Sequence, residues 1–178
     1  MQVAKPFAVV GALFTVGVAL AAAQNPSPPR VALPASVALT DVQITLRTGG
    51  GCLGRCVHYR VTIHGDGTVK YEELAKPPIP PQARTVTVAD VVALTNEFIG
   101  ARFFEAAARY VGRNFYVLEG ERLSLLGRSV DDGPEWDLSL RLGDLEKSVH
   151  LNLDYPEQLG RLRDRVDQIG GPQSWIAK

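Results

Sequence analysis

The sequence predicts a single α+β domain in two layers, an antiparallel sheet of hairpins with about two helices packed on one face. Two segments with hairpin patterns and two amphipathic helix patterns carry this prediction. Each predicted strand alternates apolar and polar residues, which gives the sheet one apolar face and one polar face. The helices are expected to cover the apolar face, while the polar face meets solvent or a ligand.

The first strands lie early in the predicted domain. Residues 41–47 (DVQITLR) alternate and predict a half-buried strand. Residues 57–73 alternate on both sides of Gly65-Asp66-Gly67, which predicts two strands joined by a tight turn. We therefore interpret Gly65, Asp66 and Gly67 as a structural turn motif.

A proline-rich segment follows the first hairpin. Residues 74–84 (LAKPPIPPQAR) hold four prolines and predict a loop at the tip or edge of the sheet, because proline cannot donate to a strand ladder. The next residues, 84–88 (RTVTV), predict a short strand. Thr87 then caps a helix that runs to about Ile99, with Asp90 as the second member of a short capping box.

This first helix has an apolar stripe that predicts its buried face. The stripe consists of Val91, Leu94 and Phe98. Gly100 is expected to end the helix, and Phe103 and Phe104 to pin its end to the core. Residues 106–134 have a weaker pattern, which predicts one strand at 121–129 and a turn at 131–135 (DDGPE).

A second hairpin and a second helix complete the predicted domain. Residues 135–153 alternate on both sides of a Gly143-Asp144 turn. The residues of this hairpin expected to share a core with Val61 and Ile63 are Trp136, Leu138, Leu140, Val149 and Leu151. A helix from Pro156 to Gly170 follows, with its apolar stripe at Leu159, Leu162, Val166 and Ile169.

The N-terminus has the layout of a secretory signal peptide. Lys5 precedes an apolar run from Phe7 to Ala23, and the run ends in small residues before Gln24. A retained membrane anchor is the competing interpretation. The run is slightly short and weakly hydrophobic for a membrane span, so the pattern favours cleavage after Ala23. We therefore expect a periplasmic or secreted protein with no membrane span after cleavage.

These features divide the chain into four predicted segments. They are a signal peptide at 1–23, a Pro/Ser-rich leader at 24–39, one α+β domain at 40–171 and a C-terminal tail at 172–178. The 19 basic and 19 acidic residues balance, which argues against a nucleic-acid partner. The composition does not set an oligomeric state.

The only two cysteines lie close together, at Cys52 and Cys56. In an oxidising compartment, two isolated cysteines at this spacing most simply form a disulfide, with Gly54 giving the backbone the freedom to reverse. A ring this short is expected to stabilise the fold by about 2 kcal/mol. The predicted role of the disulfide is to fix the turn between the first strand and the hairpin.

Two other chemistries remain open for the cysteine pair. Thiol–disulfide exchange usually places the motif at the start of a helix, which lowers the thiolate pKa, whereas here a strand follows. Alternatively, Cys52, Cys56 and His58 offer two soft ligands and an imidazole that would suit copper(I) or zinc. His58 lies on the polar side of its strand, where a solvated histidine is the usual case. We predict no cofactor.

The segment GCLGRCVHYRVTIHGDGTVKYEE resembles a bacterial family known as domain of unknown function 6438. Members read approximately C-F/L-G-x-C-P-x-Y, then a strand, then G-D-G-x-V-x-Y. The matching residues are Cys52, Gly54, Cys56, Tyr59, Gly65, Asp66, Gly67, Val69 and Tyr71. Val57 replaces the proline of the pattern, and the proline-rich loop replaces a short glycine turn. The resemblance covers about residues 40–170 and implies a fold unit and an exported setting, but no activity.

The sequence leaves three classes of function open. We favour a non-catalytic envelope or secreted binding domain, whose partner is an envelope protein or a small ligand. The alternative is a copper-binding or thiol-redox accessory protein that uses Cys52 and Cys56. An enzyme is the third class, although Ser129 lacks the second glycine of a nucleophile elbow and no phosphate-binding loop or zinc-protease helix is present.

One further group of residues is a candidate ligand surface. His58, Arg60 and His64 are predicted to share the polar face of their strand. Arg141 and His150 are expected on the same side of the sheet. A plain solvated face is the competing interpretation of this surface.

Overall fold

The computed structural model describes residues 30–51, 57–74, 80–112, 114–127 and 133–176. Its strands are β1 (Val42–Gly50), β2 (Tyr59–His64), β3 (Thr68–Glu73), β4 (Gln82–Thr85), β5 (Arg109–Val111), β6 (Asn114–Glu119), β7 (Arg122–Gly127), β8 (Pro134–Leu142) and β9 (Leu145–Leu153). Its helices are α1 (Val88–Gly100), α2 (Glu157–Gly170) and α3 (Gln173–Ile176), with 3₁₀ turns at Leu39–Asp41 and Phe103–Glu105.

Among the described residues, seven strands form one sheet in the order β4-β3-β2-β1-β8-β9-β5. All neighbours are antiparallel except β5 and β9, which run parallel. The two long strands β1 and β8 lie at the centre, where Ile44 pairs with both Ile63 and Leu140. The predicted α+β class and its sheet of hairpins are confirmed.

Both hairpins bury most of the residues that the alternation assigned to the core. Leu138, Leu140, Val149 and Leu151 are fully buried together with Val61 and Ile63. Trp136 is only partly buried, because it lies near the start of β8. The Arg163 guanidinium lies over its ring, 4.3 Å from the ring centroid. The expectation that Trp136 is a core residue is therefore met in part, since its ring packs against the margin of the core.

The helices lie on the apolar face of the sheet. Helix α2 packs across β1, β2 and β3 and buries the predicted stripe of Leu159, Leu162, Val166 and Ile169. Helix α1 packs beside α2 and contributes Val91, Leu94 and Phe98 to the same core. Alternate strand residues and two helical stripes thus meet in one apolar layer.

The predicted capping box is present at the start of α1. The Thr87 hydroxyl accepts the Asp90 N–H at 3.1 Å, and the Asp90 carboxylate accepts the Thr87 N–H at 3.1 Å. These bonds satisfy two backbone donors that the helix itself leaves free. At the other end, the fully buried Phe103 packs edge-on against Phe98, so Phe103 pins the helix end as expected.

Three predictions around the prolines are wrong in detail. Strand β4 occupies Gln82–Thr85 and so begins inside the segment predicted as a loop, because the residues after Pro81 can pair with the open edge of β3. The predicted strand at 84–88 therefore ends at Thr85, where the chain turns to cap α1. Pro134 and Glu135 begin β8 rather than a turn, which proline allows at the first residue of a strand.

In the part of the chain with the weakest pattern, the described residues include β5, β6 and β7. β6 and β7 form a separate hairpin that includes the strand predicted near 121–129. β5 adds a short parallel edge next to β9. After α2, in the segment predicted as a tail, α3 places the Trp175 ring against Tyr71, and the Trp175 indole N–H donates to the Gly170 carbonyl at 2.8 Å.

Among the described residues, every helix is too short or too polar to cross a membrane. The predicted signal peptide at 1–23 lies outside those residues. So do Cys52, Gly54 and Cys56.

Candidate functional site: the polar face of the sheet

The side of the sheet away from the helices carries polar side chains in three rows that run across the strands. The charged row contains Glu72, Arg60, Arg47, Asp137, His150 and Arg109. The hydroxyl row contains Lys70, Thr62, Thr45, Ser139 and Ser148. The glutamine row contains His64, Gln43, Arg141 and Glu146. We call this surface the polar face.

The charged row is held by contacts between neighbouring strands. The His150 Nδ1 lies 2.9 Å from the Asp137 carboxylate, which is also 3.9 Å from Arg47. Arg60 contacts Glu72 at 3.5 Å. Arg47 and Arg60 are direct cross-strand neighbours, so two arginines stand side by side in the row.

The hydroxyl row has short side chains except for Lys70 at its end. Ser139 donates to Ser148 at 3.1 Å across β8 and β9. Thr45 accepts a hydrogen bond from the Gln43 amide at 3.3 Å. The charged row and the glutamine row on either side of it carry longer side chains.

The glutamine row contains polar atoms that the described residues do not satisfy. Arg141 donates from one terminal nitrogen to the Gln43 side-chain oxygen at 3.3 Å. The Arg141 Nε and the His64 Nε2 are buried and have no hydrogen-bond partner in the described part of the chain. Buried polar atoms of this kind are uncommon and call for an explanation.

The polar face brings together most of the ligand-surface residues predicted from the sequence. Arg60 and His150 lie in the charged row, whereas His64 and Arg141 flank Gln43 in another row. His58 precedes β2, and its carbonyl accepts the Leu74 N–H at 2.7 Å. Among the described residues, no three His, Cys, Asp or Glu side chains are grouped to hold a metal ion.

Several important members of the face were not singled out in the sequence. Arg47 and Asp137 belong to alternating segments, and each was expected on a polar side. Their proximity depends on the pairing of β1 with β8, which joins segments far apart in the chain. Local alternation assigns a side of the sheet but does not determine which distant strands pair.

The Gly65-Asp66-Gly67 motif connects β2 to β3. The Asp66 carboxylate accepts the Thr68 N–H at 2.8 Å, and hydrogen bonds from Thr68 hold the pKa of Asp66 below its usual value. Gly67 has a φ of 89°, and a Cβ on Gly65 would collide with the Leu39 carbonyl. The geometry of all three residues is that of a tight turn.

The backbone on either side of the cysteine segment is tied together by Thr48. Its hydroxyl accepts the Tyr59 N–H at 2.9 Å. The Tyr59 hydroxyl in turn donates to Asp167 of α2, and the Tyr59 ring lies 5.5 Å from that of Tyr71. Burial, followed by the hydrogen bond to Asp167, raises the pKa of Tyr59 well above its ordinary value.

We expect Tyr59→Phe to lower the free energy of unfolding by about 1–3 kcal/mol near neutral pH, because Asp167 loses its phenolic donor. In the unfolded wild type, Tyr59 ionises as pH rises above about 10, whereas in the folded state it stays neutral. The stability that its raised pKa provides is therefore present below that pH and declines above it. Urea unfolding at pH 7 to 11 should show the difference between wild type and variant shrinking above pH 10.

Tyr110→Phe is the matched control for this measurement. Its hydroxyl accepts one exposed backbone N–H, from Ala107 at 3.2 Å. We expect Tyr110→Phe to cost less than Tyr59→Phe at pH 7. Equal losses for the two variants would contradict a special role for the Tyr59–Asp167 bond.

The fold and the polar face define a class of protein: an α+β domain with helices on one side of its sheet and an ordered polar surface on the other. The chain belongs to the family described as Domain of unknown function (DUF6438), which matches residues 42–170. The matched region begins at the first residue of β1 and ends at the last residue of α2. The family predicted by the sequence resemblance is confirmed. No curated protein matches the chain.

Proposed function

We propose that the protein is exported and acts, in the periplasm or outside the cell, as a non-catalytic binding domain. The polar face is its contact surface, and its partner is an envelope protein or a small ligand. The observation that carries this proposal is the cross-strand arrangement of the face. Donors and acceptors from five neighbouring strands point to one side and are held by contacts between strands.

This arrangement supports binding because it is preorganised. Strand side chains that are already fixed by their neighbours lose little conformational freedom when a ligand arrives. Ser139 is bonded to Ser148, and Asp137 contacts both His150 and Arg47. A rigid sheet also positions side chains more accurately than a loop does.

The hydroxyl row is hydrogen-bonded within the polar face. In the part of the chain that the structure describes, the hydrogen bonds of the hydroxyl row run to each other or to Gln43, and none joins that row to His64 or His150. The His150 imidazole instead contacts Asp137.

The N-terminal sequence supports export. A positive residue, an apolar run and small residues before Gln24 are the features that signal peptidase recognises. The predicted mature protein therefore begins at or near Gln24 and carries the leader before the domain.

Site-specific photo-crosslinking in cells tests this proposal. A photoreactive amino acid would replace Lys70 or Ser148, two exposed positions on the polar face, in the full chain. The control position is Arg161, which is exposed on α2. Intact-mass spectrometry of the purified protein reads the bound molecule and the mature N-terminus in one measurement. We expect an adduct at Lys70 or Ser148, no adduct at Arg161, and a mature start at or near Gln24.

Two results would overturn the proposal. An adduct that forms equally at Arg161, or no adduct at either face position, would remove the polar face as the contact surface. Protein that starts at Met1 and is extracted with membranes would overturn cleavage of the signal peptide.

A further inference from the structure

We propose that the polar face binds an anionic oxygen group, a carboxylate or a phosphate, between Arg47 and Arg60 at the edge of the hydroxyl row. This inference rests on the proposed binding function and specifies the ligand chemistry of the same surface. Arginine suits such a group because its planar fork of N–H donors matches carboxylate and phosphate oxygens.

The first argument is the like-charge pair at the centre of the charged row. Arg47 and Arg60 face each other directly across β1 and β2. Like charges directly opposite each other destabilise a sheet. An anion that bridges the two guanidinium groups would offset this repulsion. A bound anion would therefore explain why two arginines lie opposite each other.

The second argument is that the acids beside these arginines leave donors available. Glu72 of β3 and Asp137 of β8 flank the pair on opposite sides, so each acid contacts its arginine from outside the pair. The contacts are single ones at 3.5 Å and 3.9 Å, longer than a bidentate arginine–carboxylate pair. Asp137 is also shared with His150. The side chains of Arg47 and Arg60 remain 55% and 43% exposed.

The third argument is the pair of threonine hydroxyl groups beside the two arginines. Thr45 and Thr62 are direct cross-strand neighbours, each two residues from an arginine of the pair along its own strand. Their hydroxyl groups can rotate to donate to a further oxygen of the same anion. Both threonines are shorter than the arginines beside them in the neighbouring row.

The fourth argument is the net charge of the polar face. The three rows carry the cations Arg47, Arg60, Arg109, Arg141 and Lys70 against the acids Glu72, Asp137 and Glu146. Cations outnumber acids there, although the whole chain is neutral. The local excess of positive charge favours an anionic ligand.

Nuclear magnetic resonance titration of the mature full chain tests this inference. Inorganic phosphate is the probe in one arm and succinate in the other, with chloride added to hold the ionic strength low and constant. We expect saturable shifts of the backbone amides of Arg47, Arg60, Thr45 and Thr62. Saturation by phosphate alone, or by succinate alone, identifies the group that the site prefers.

The decisive variants alter the charges of the pair. Arg47→Gln combined with Arg60→Gln should weaken binding by at least about tenfold, because charge-assisted hydrogen bonds are lost. Glu72→Gln should tighten binding, because it releases Arg60 from its acid. If these residues had a purely structural role, their substitutions would not change the affinity in opposite directions.

Arg165→Gln is the matched control. It removes a similar surface ion pair, in which Arg165 lies 3.8 Å from Glu97 on the helical side of the domain. We expect it to leave the titration unchanged. Thermal unfolding of each variant verifies that the fold is retained.

The absence of a saturable shift in the wild type with either probe would overturn the anion site. Equal losses of affinity in the Arg165 control and in the double variant would also overturn it. The photo-crosslinking experiment separates this failure from that of the proposed function. Adducts at Lys70 or Ser148 that persist in the double variant would leave the binding face intact and show that its ligand is recognised without the arginine pair.

Discussion

Replacement of Leu140 by alanine is expected to lower the free energy of unfolding by about 2–5 kcal/mol. Leu140 is fully buried in the middle of β8, directly opposite Ile44 of β1. Both strands are central in the sheet, so neighbouring side chains cannot move far to fill the space that the leucine leaves. The loss therefore combines the transfer of the side chain with the cost of a cavity.

The chain provides a matched leucine for the control. Leu118 lies in β6 and is 72% exposed, so Leu118→Ala removes the same atoms without opening a cavity. We expect this control to change stability by less than about 0.5 kcal/mol. Urea unfolding followed by circular dichroism measures both variants. A Leu140→Ala midpoint equal to that of wild type would mean that β8 presents the opposite face to the core.

The side of β8 that is buried could be predicted from the sequence. Alternation over 41–47, 57–73 and 135–153 predicted the two hairpins and the buried side of each strand. A period of two assigns every residue to a side, and an error of one residue would have reversed them all. The capping box at Thr87 likewise located the start of α1, because capping depends on residues only three positions apart.

Features that depend on distant pairing were not predictable in the same way. Arg141 and Gln43 share a hydrogen bond although they are 98 positions apart. The rows of the polar face exist because β1 lies between β2 and β8, and no local pattern specifies that order. The sequence did not predict the parallel strand β5, because three residues are too few to show an alternation of apolar and polar side chains.

Only part of the candidate site could therefore be predicted from the sequence. Arg60, His64, Arg141 and His150 could be assigned to the polar side from their own strands. The opposition of Arg47 and Arg60 required the register of β1 on β2. The proposed disulfide between Cys52 and Cys56 stays a prediction, based on the spacing of the cysteines and on the expected compartment.

Gly170→Ala is expected to destabilise the domain by about 1–3 kcal/mol, although alanine is the better helix former. Gly170 is the last residue of α2 and is buried against the sheet. A Cβ at this position would collide with Cγ1 of Val61 and lie 3.1 Å from Cγ1 of Val69. Both valines are fully buried, so they cannot swing aside and the helix must shift away from β2 and β3.

Gly100→Ala separates this close contact from the general effect of glycine in a helix. Gly100 is the last residue of α1, and a Cβ there would have no atom within 4 Å. Alanine should therefore be neutral or stabilise the protein by up to about 1 kcal/mol, because the unfolded chain loses freedom. Thermal and urea unfolding of the two variants should give opposite signs. If both substitutions stabilise the domain, then α2 does not approach the sheet closely at Gly170. Only a close approach makes the smallest residue necessary at one helix end and dispensable at the other.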